Sequence, residues 1–457
     1  MAKLIKTKRG LDIQMEGKAK EITGETIIST EIALIPDYYH GIIPKMMVRE
    51  GDAVKAGTPV FYDKNHPEVY FVSPVSGTVK AINRGERRKI LSIVVNSDGK
   101  NTSESFKLKS PDKLSTEEVK SALLTSGLWP YIKQRPYDVI ANPNGSPKAI
   151  FISTFDSAPL AASNDYVIGS QMKDFQTGID ALKKLCPEIN LGIKSGNTVF
   201  NNVSNVTITE FDGPHPVGNV GIQINKLNPV NKGEVVWTIN AQDVLYIGRL
   251  FNNGVVDLTR QMALAGPEVN APQYYNVIPG SPVKLVTHGK LSSGILHCII
   301  CGNVLSGIEV SESDYIDPYS TQITVIHDGS DVHELVGWAM PRFNKFSASG
   351  TFFTGIFESK IYKSIFGQKK YDYDTRLLGG KRAIIMSGEY DKVLPMDILP
   401  EYLFKAMITG NIDKMEALGA YEIAPEDVAL CEYVCTSKLP LQKIVRDSLD
   451  NLKSELE

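Results

Sequence analysis

The chain has 457 residues, enough for about three domains at roughly 150 residues each. Its 49 Lys and Arg against 52 Asp and Glu leave a net charge of −3, so no overall field draws it to a phosphate backbone and nucleic acid is not expected as a partner. A hydrophobic content of 42% with 22% charged residues is ordinary globular composition, too apolar for a disordered chain.

No apolar run approaches the 18 or so residues that a membrane-spanning helix needs. The opening MAKLIKTKRGLDIQ is basic but leads into no hydrophobic region, so neither a signal peptide nor an anchor is expected and the chain reads as cytoplasmic. Five cysteines, an odd number, argue against a disulfide framework.

The first hundred residues alternate apolar and polar positions between glycines, as in VYFVSPVSGTVKAINRG and KILSIVVNS, which is the period of strands. VREGDAVKAGTPVFYDK and VSPVSGTVKAI each place glycine at tight turns, with Gly51, Gly57 and Gly77 supplying positive φ. The pair resembles the halves of a barrel-sandwich hybrid, the fold of biotinyl and lipoyl carriers. From about Ser103 the pattern changes. LSTEEVKSALLTSGLW reads as a helix with Ser115 at its N-cap. Strand-like YDVIANP, AIFISTF and NVTITEF then alternate with the helical period of QMKDFQTGIDALKKL and with AQDVLYIGRLFNNG, which predicts an α/β layer on a largely parallel sheet. The stretch from VNAPQYYNVIPG to CIICGNVLSG has no long helical period and reads as a small β-rich module. ILPEYLFKAMITGNIDKMEALGA and PLQKIVRDSLDNLKSELE return to helical spacing.

Several motifs carry chemistry in other contexts. Lys64 follows Asp63 in a hairpin like that of a modified carrier lysine, but Asn65, His66 and Pro67 break the symmetric turn, and a surface lysine is the simpler reading. There is no G-x-G-x-x-G and no G-x-x-x-x-G-K-[ST]. GPHPVGNVG carries Pro214 and Pro216, which lack the N–H groups of an anion cradle, so a rigid turn around His215 is expected. Cys298 and Cys301 lie in an apolar run without a second cysteine pair, and read as buried strand thiols. Cys431 and Cys435 have half the spacing of a ferredoxin cluster; the other ligand positions fall on Val428 and Pro425, and Thr436 stands where the motif's proline would be, so a degenerate site without metal is expected. His327 and His333 flank a polar turn. Two aromatic groups, Tyr38, Tyr39 and His40 in one and Trp129, Tyr131, Lys133 and Arg135 in the other, suit either stacking on a flat ring with donation to its carbonyls or packing at a domain junction.

Taken together, KRGLDIQMEGK, VFYDK, FVSPVSGTVKAINRGERR, SGLWPYIKQRP, GPHPVGNVG, VVWTINAQDVLYIGRLFNNG, RQMALAGPEV, LPMDILP and LCEYVC closely resemble the A-subunit family of bacterial sodium-translocating NADH:quinone oxidoreductases over nearly the whole chain. More distantly the order of domains is similar to the C subunit of Rnf electron-transport complexes and the NADH-binding flavoprotein subunit of respiratory complex I. The resemblance implies an α+β multidomain protein: a barrel-sandwich-hybrid domain over 1–102, a Rossmann-like α/β domain over 103–254, a β-grasp module of SLBB type over 255–330, and a mostly helical domain with a degenerate ferredoxin-like segment over 331–457. Where those distant relatives bind flavin and nucleotide through a G-x-G-G-A-G-F-P loop, this chain has TSGLWPYIKQRP, with Trp129 and Tyr131 in the space a phosphate needs.

The resemblance therefore implies a subunit that binds no cofactor itself and is inactive alone. NADH, flavins, iron and quinone would be handled through other subunits, integral membrane subunits among them, on the cytoplasmic face of the bacterial inner membrane. Quinone is the implied small-molecule partner, with Tyr38, Tyr39, His40, Trp129, Tyr131, Lys133 and Arg135 as candidate contacts. A pure assembly scaffold, an NADH- and FMN-binding flavoprotein and a carrier modified at Lys64 are the competing readings.

Overall fold

A computed structural model describes residues 3–456 except 338–339, 349–351, 358–359 and 372. Two small sheets build the first β unit. Glu31–Leu34, Ile90–Ser97, Gly77–Arg84 and Ala53–Val54 form one in that order, and Pro44–Met46, Pro59–Asp63 and Tyr70–Val72 form the other. Their inward positions, Ile32, Val60, Phe61, Phe71, Val79, Ile93 and Val95, are buried, as alternation along each strand requires. The turn glycines have φ of 90° at Gly51, 93° at Gly57 and 158° at Gly77. At Gly77 a Cβ would stand 1.8 Å from the Asn96 carbonyl oxygen, so only glycine lets the two longest strands pair there.

The α/β layer is a seven-stranded sheet in the order Lys3–Lys6, Thr207–Asp212, Ile189–Lys194, Ile150–Ser153, Val236–Ile239, Ile132–Arg135, Val139–Ile140. The first five run parallel and the last two add as an antiparallel hairpin. Thr116–Thr125 is a helix whose Ser115 side chain accepts from the Glu118 N–H while the Glu118 carboxylate takes the Ser115 N–H, a reciprocal cap that satisfies two otherwise orphaned donors. Met172–Leu185 and Ala241–Asn253 pack side by side. A Cβ on Gly178 would fall 2.3 Å from the Val244 carbonyl oxygen, and one on Gly248 1.8 Å from that of Asp174, so reciprocal glycines bring the two backbones together.

A six-stranded sheet, Ile308–Val310, His297–Cys301, Gln322–His327, Arg260–Ala265, Gln273–Val277 and Thr23–Thr26, forms the third unit. The amino-terminal thirty residues thus cross two units before entering the first β unit. Lys3–Lys6 edges the α/β sheet and Thr23–Thr26 edges the six-stranded one. Beyond them come the helices Pro400–Ile408, Ile412–Ala417, Ala429–Val434 and Leu441–Leu456. Gly410, at φ 64°, ends the first of these, and the Asn411 side chain starts the second by accepting from the Lys414 N–H at 3.0 Å. Leu441, Val445, Leu449 and Leu452 form the buried stripe of the last helix.

Candidate functional site

In open α/β sheets ligands are taken at the carboxyl ends of parallel strands. Here a cavity of about 440 Å³ lies at that edge, beyond Ser153 and Ile239, and is closed by the 301–308 and 317–322 loops of the six-stranded unit and by Glu426 and Ala429. The three units and the carboxyl-terminal segment all contribute to its wall.

One side is aromatic and cationic. Tyr131 meets Tyr246 and Tyr319 edge to face at 5.2 and 5.9 Å, and the Lys133 ammonium sits 4.3 Å above the Tyr319 ring, a contact that desolvation strengthens. Tyr319 donates to the Pro130 carbonyl at 2.9 Å. Tyr38 borders the same space and donates to the Tyr315 carbonyl at 2.9 Å. Burial pushes the phenol of Tyr131 far above its ordinary pKa, as it does those of Tyr38 and Tyr319, so all three are neutral donors.

Carboxylates share this lining. Asp138, Asp156, Asp243, Asp317 and Glu426 all border the cavity. Asp138 is turned into it by a hairpin in which Tyr137 and Asp138 both adopt positive φ, 77° and 52°, a conformation costly without glycine. Arg446 of the last helix donates to the carbonyls of both residues. Burial opposes ionisation of Asp138, but Lys133, Arg135 and Arg446 outweigh it and hold the carboxylate below its usual range. Asp156 is raised by desolvation. It stands just after the Ile150–Ser153 strand, and strand-end position alone could have singled it out from sequence. One oxygen of the Asp317 carboxylate accepts from the Tyr319 and Ser320 N–H groups; the other has no hydrogen-bond partner.

The GPHPVGNVG segment is a tight turn packed on Ser157. Its His215, 3% exposed, lies 3.0 Å through Nδ1 from Ser157 Oγ, which also accepts from the Gly218 N–H. Burial pushes the imidazole down to about 4. A Cβ on Gly218 would reach 2.6 Å from the Ser157 nitrogen.

Of the seven residues singled out from sequence, Tyr38, Tyr131 and Lys133 line the cavity. Tyr39 stands behind Tyr319, 5.8 Å ring to ring, and packs at 4.5 Å on Phe71 of the first β unit. His40 is on the outside, its Nε2 2.8 Å from Asp450. Trp129 is fully buried, donating to the Ala141 carbonyl at 2.7 Å and packing edge to face on Trp237. Arg135 is also interior and is spent on Asp427 and Glu426, at 2.8 and 2.9 Å. The carboxylates escaped sequence reasoning, because Asp138 and Glu426 meet only through the fold.

The cysteines are all buried and free. Cys298 and Cys301, an odd number apart on one strand, face opposite sides. Cys435 Sγ contacts the Tyr390 hydroxyl at 3.0 Å, and burial raises the Cys431 thiol well above its ordinary value. Lys64 is exposed at its hairpin, where Asp63 Oδ1 accepts from the N–H groups of Ile43 and Asn65. His327 pairs with Asp331 at 3.0 Å.

Three family descriptions match: the NqrA N-terminal barrel-sandwich hybrid domain over residues 5–98, the NqrA second alpha/beta domain over 114–256, and the NQRA C-terminal domain over 261–312. Full-length relatives include the A subunits of the Na(+)-translocating NADH-quinone reductases of Neisseria meningitidis, 37% identical, and Haemophilus influenzae, 36% identical, each aligned over 99% of this chain and 100% of the relative. The counterpart from Yersinia pestis is 37% identical over the same shares.

Proposed function

This chain belongs to the A-subunit family of the Na(+)-translocating NADH-quinone reductases, and from that premise we propose that it is a peripheral, cytoplasmic-side component that supports quinone reduction without a redox group of its own. In this reading the α/β layer is a Rossmann-like scaffold turned from nucleotide binding to recognition, and the carboxyl-terminal helices keep the outline of a ferredoxin-like segment. Electrons would arrive through partner subunits. Among the described residues no helix is long and apolar enough to cross a membrane, so ion conduction falls to those partners as well.

The observation that carries the reading is the Tyr38, Tyr131, Lys133 and Tyr319 wall of the cavity. Aromatic edges suit a flat quinone ring, and the Lys133 cation with the neutral Tyr131 hydroxyl would stabilise the reduced oxygens more than the oxidised carbonyls, the Tyr38 and Tyr319 hydroxyls being spent on backbone carbonyls. A dinucleotide reading has less support: the TSGLWPYIKQRP stretch offers no glycine-rich phosphate loop, and its Trp129 is fully buried.

Lys133→Met and Tyr131→Leu in the intact complex test it. Quinone reduction should fall about ten-fold or more, as when one preorganised donor is lost, while NADH-driven reduction of a soluble acceptor is kept. Equal loss of both rates, or of neither, leaves the scaffold reading. A stoichiometric flavin on the purified chain would favour the flavoprotein reading instead.

A further inference from the structure

Residues 341–382 carry nine Lys and Arg against three Asp and Glu in a chain whose net charge is −3; Arg342, Lys345 and Arg376 are spent on Glu334 and Asp374, while Lys370, Lys381 and Arg382 are exposed. The same segment exposes Phe343, Phe353, Ile356, Ile361, Ile365 and Phe366, each more than half accessible. The aromatic side chains of the segment make ring contacts. Phe343 stacks on Phe353 at 5.2 Å; Lys369 donates to the Phe343 carbonyl at 2.8 Å and lies 4.0 Å over Phe357; Phe357 meets Tyr362 at 5.0 Å, and Tyr362 meets Phe366 at 4.9 Å. Ile361, Ile365 and Phe366, 76%, 67% and 71% exposed, lie on the short helix Lys360–Phe366. Water-facing apolar area of this extent marks an interaction surface.

We propose that this basic, aromatic face seats on the anionic phospholipid surface of the bilayer, with the Lys360–Phe366 helix entering the headgroup layer. The charge decides between a lipid and a protein occupant. Protein interfaces are depleted in lysine, whereas lysines interleaved with Ile and Phe characterise helices that lie in the interfacial plane and are drawn by anionic lipid. The inference does not rest on the quinone reading.

Flotation of the full chain with vesicles tests it. Binding is expected to vesicles containing phosphatidylglycerol, not to pure phosphatidylcholine, and to be released by high salt. Ile361→Glu with Phe366→Glu should abolish it while circular dichroism is unchanged, since both side chains are exposed. Lys370→Gln, also exposed, should weaken it roughly five-fold. In the assembled complex, a photo-crosslinking residue at Ile365 should label lipid. Failure to float with anionic vesicles, equal flotation of the double variant, or crosslinking to polypeptide in place of lipid would overturn the proposal.

Discussion

The Arg135 guanidinium and the Asp427 carboxylate meet at 2.8 Å although 292 residues separate them in sequence, and their side chains are 1% and 0% exposed. The pair binds the hairpin that carries Asp138 to the turn that carries Glu426. It is a device of geometry more than of stability, because desolvation consumes most of the attraction between two buried charges.

Removing one partner is a different matter. Asp427→Asn should destabilise the protein by about 2 kcal/mol, below the cost of a wholly unpaired buried charge because Glu426 still faces the guanidinium at 2.9 Å. The double variant Arg135→Met, Asp427→Leu should recover most of that loss in urea melts. If the double variant is as unstable as the single one, the charge pair is not the origin of the effect.

The approach of the Met172–Leu185 and Ala241–Asn253 helices predicts an inverted response to alanine. Gly248→Ala gains about 1 kcal/mol of helix propensity, yet its methyl would sit 1.8 Å from the Asp174 carbonyl oxygen. A net loss of about 2 kcal/mol is expected, by analogy with overpacked interiors. Gly169→Ala, whose Cβ would meet only Val199 at 3.7 Å, serves as the control and should change stability by less than about 0.5 kcal/mol.

His215 predicts an acid dependence. Its pKa drops from 6.5 to about 4 on burial, so the unfolded chain binds the proton more tightly. The stability that follows is fully present above pH 6.5 and is lost as pH falls towards 4, roughly 3 kcal/mol in all. His215→Asn should flatten the stability profile across that window; an unchanged slope would assign it to other groups.

Local chemistry was legible from the sequence. Ser115 caps its helix because a hydroxyl three residues before a glutamate satisfies free donors wherever it occurs, and the turn glycines follow from backbone sterics alone. Partnership was not legible. Arg135 reads as a free donor in GLWPYIKQRPYDV until Asp427 and Glu426 fold against it. Strand alternation shows that a segment is extended without saying which sheet it joins, so nothing local sends Lys3–Lys6 and Thr23–Thr26 to two different sheets. Tyr38 and Tyr39 are adjacent and equally aromatic, yet one borders the cavity and the other packs on Phe71.

The placement of Lys3–Lys6 bears on biogenesis. Synthesis proceeds from the amino terminus, so this strand leaves the ribosome about 200 residues before Thr207–Asp212, its neighbour in the sheet. It stays unpaired there until that strand has been made, and so latches late. A bulky fusion at the amino end would act on that late latching step, slowing maturation of the α/β layer rather than of the β unit that follows it in the chain.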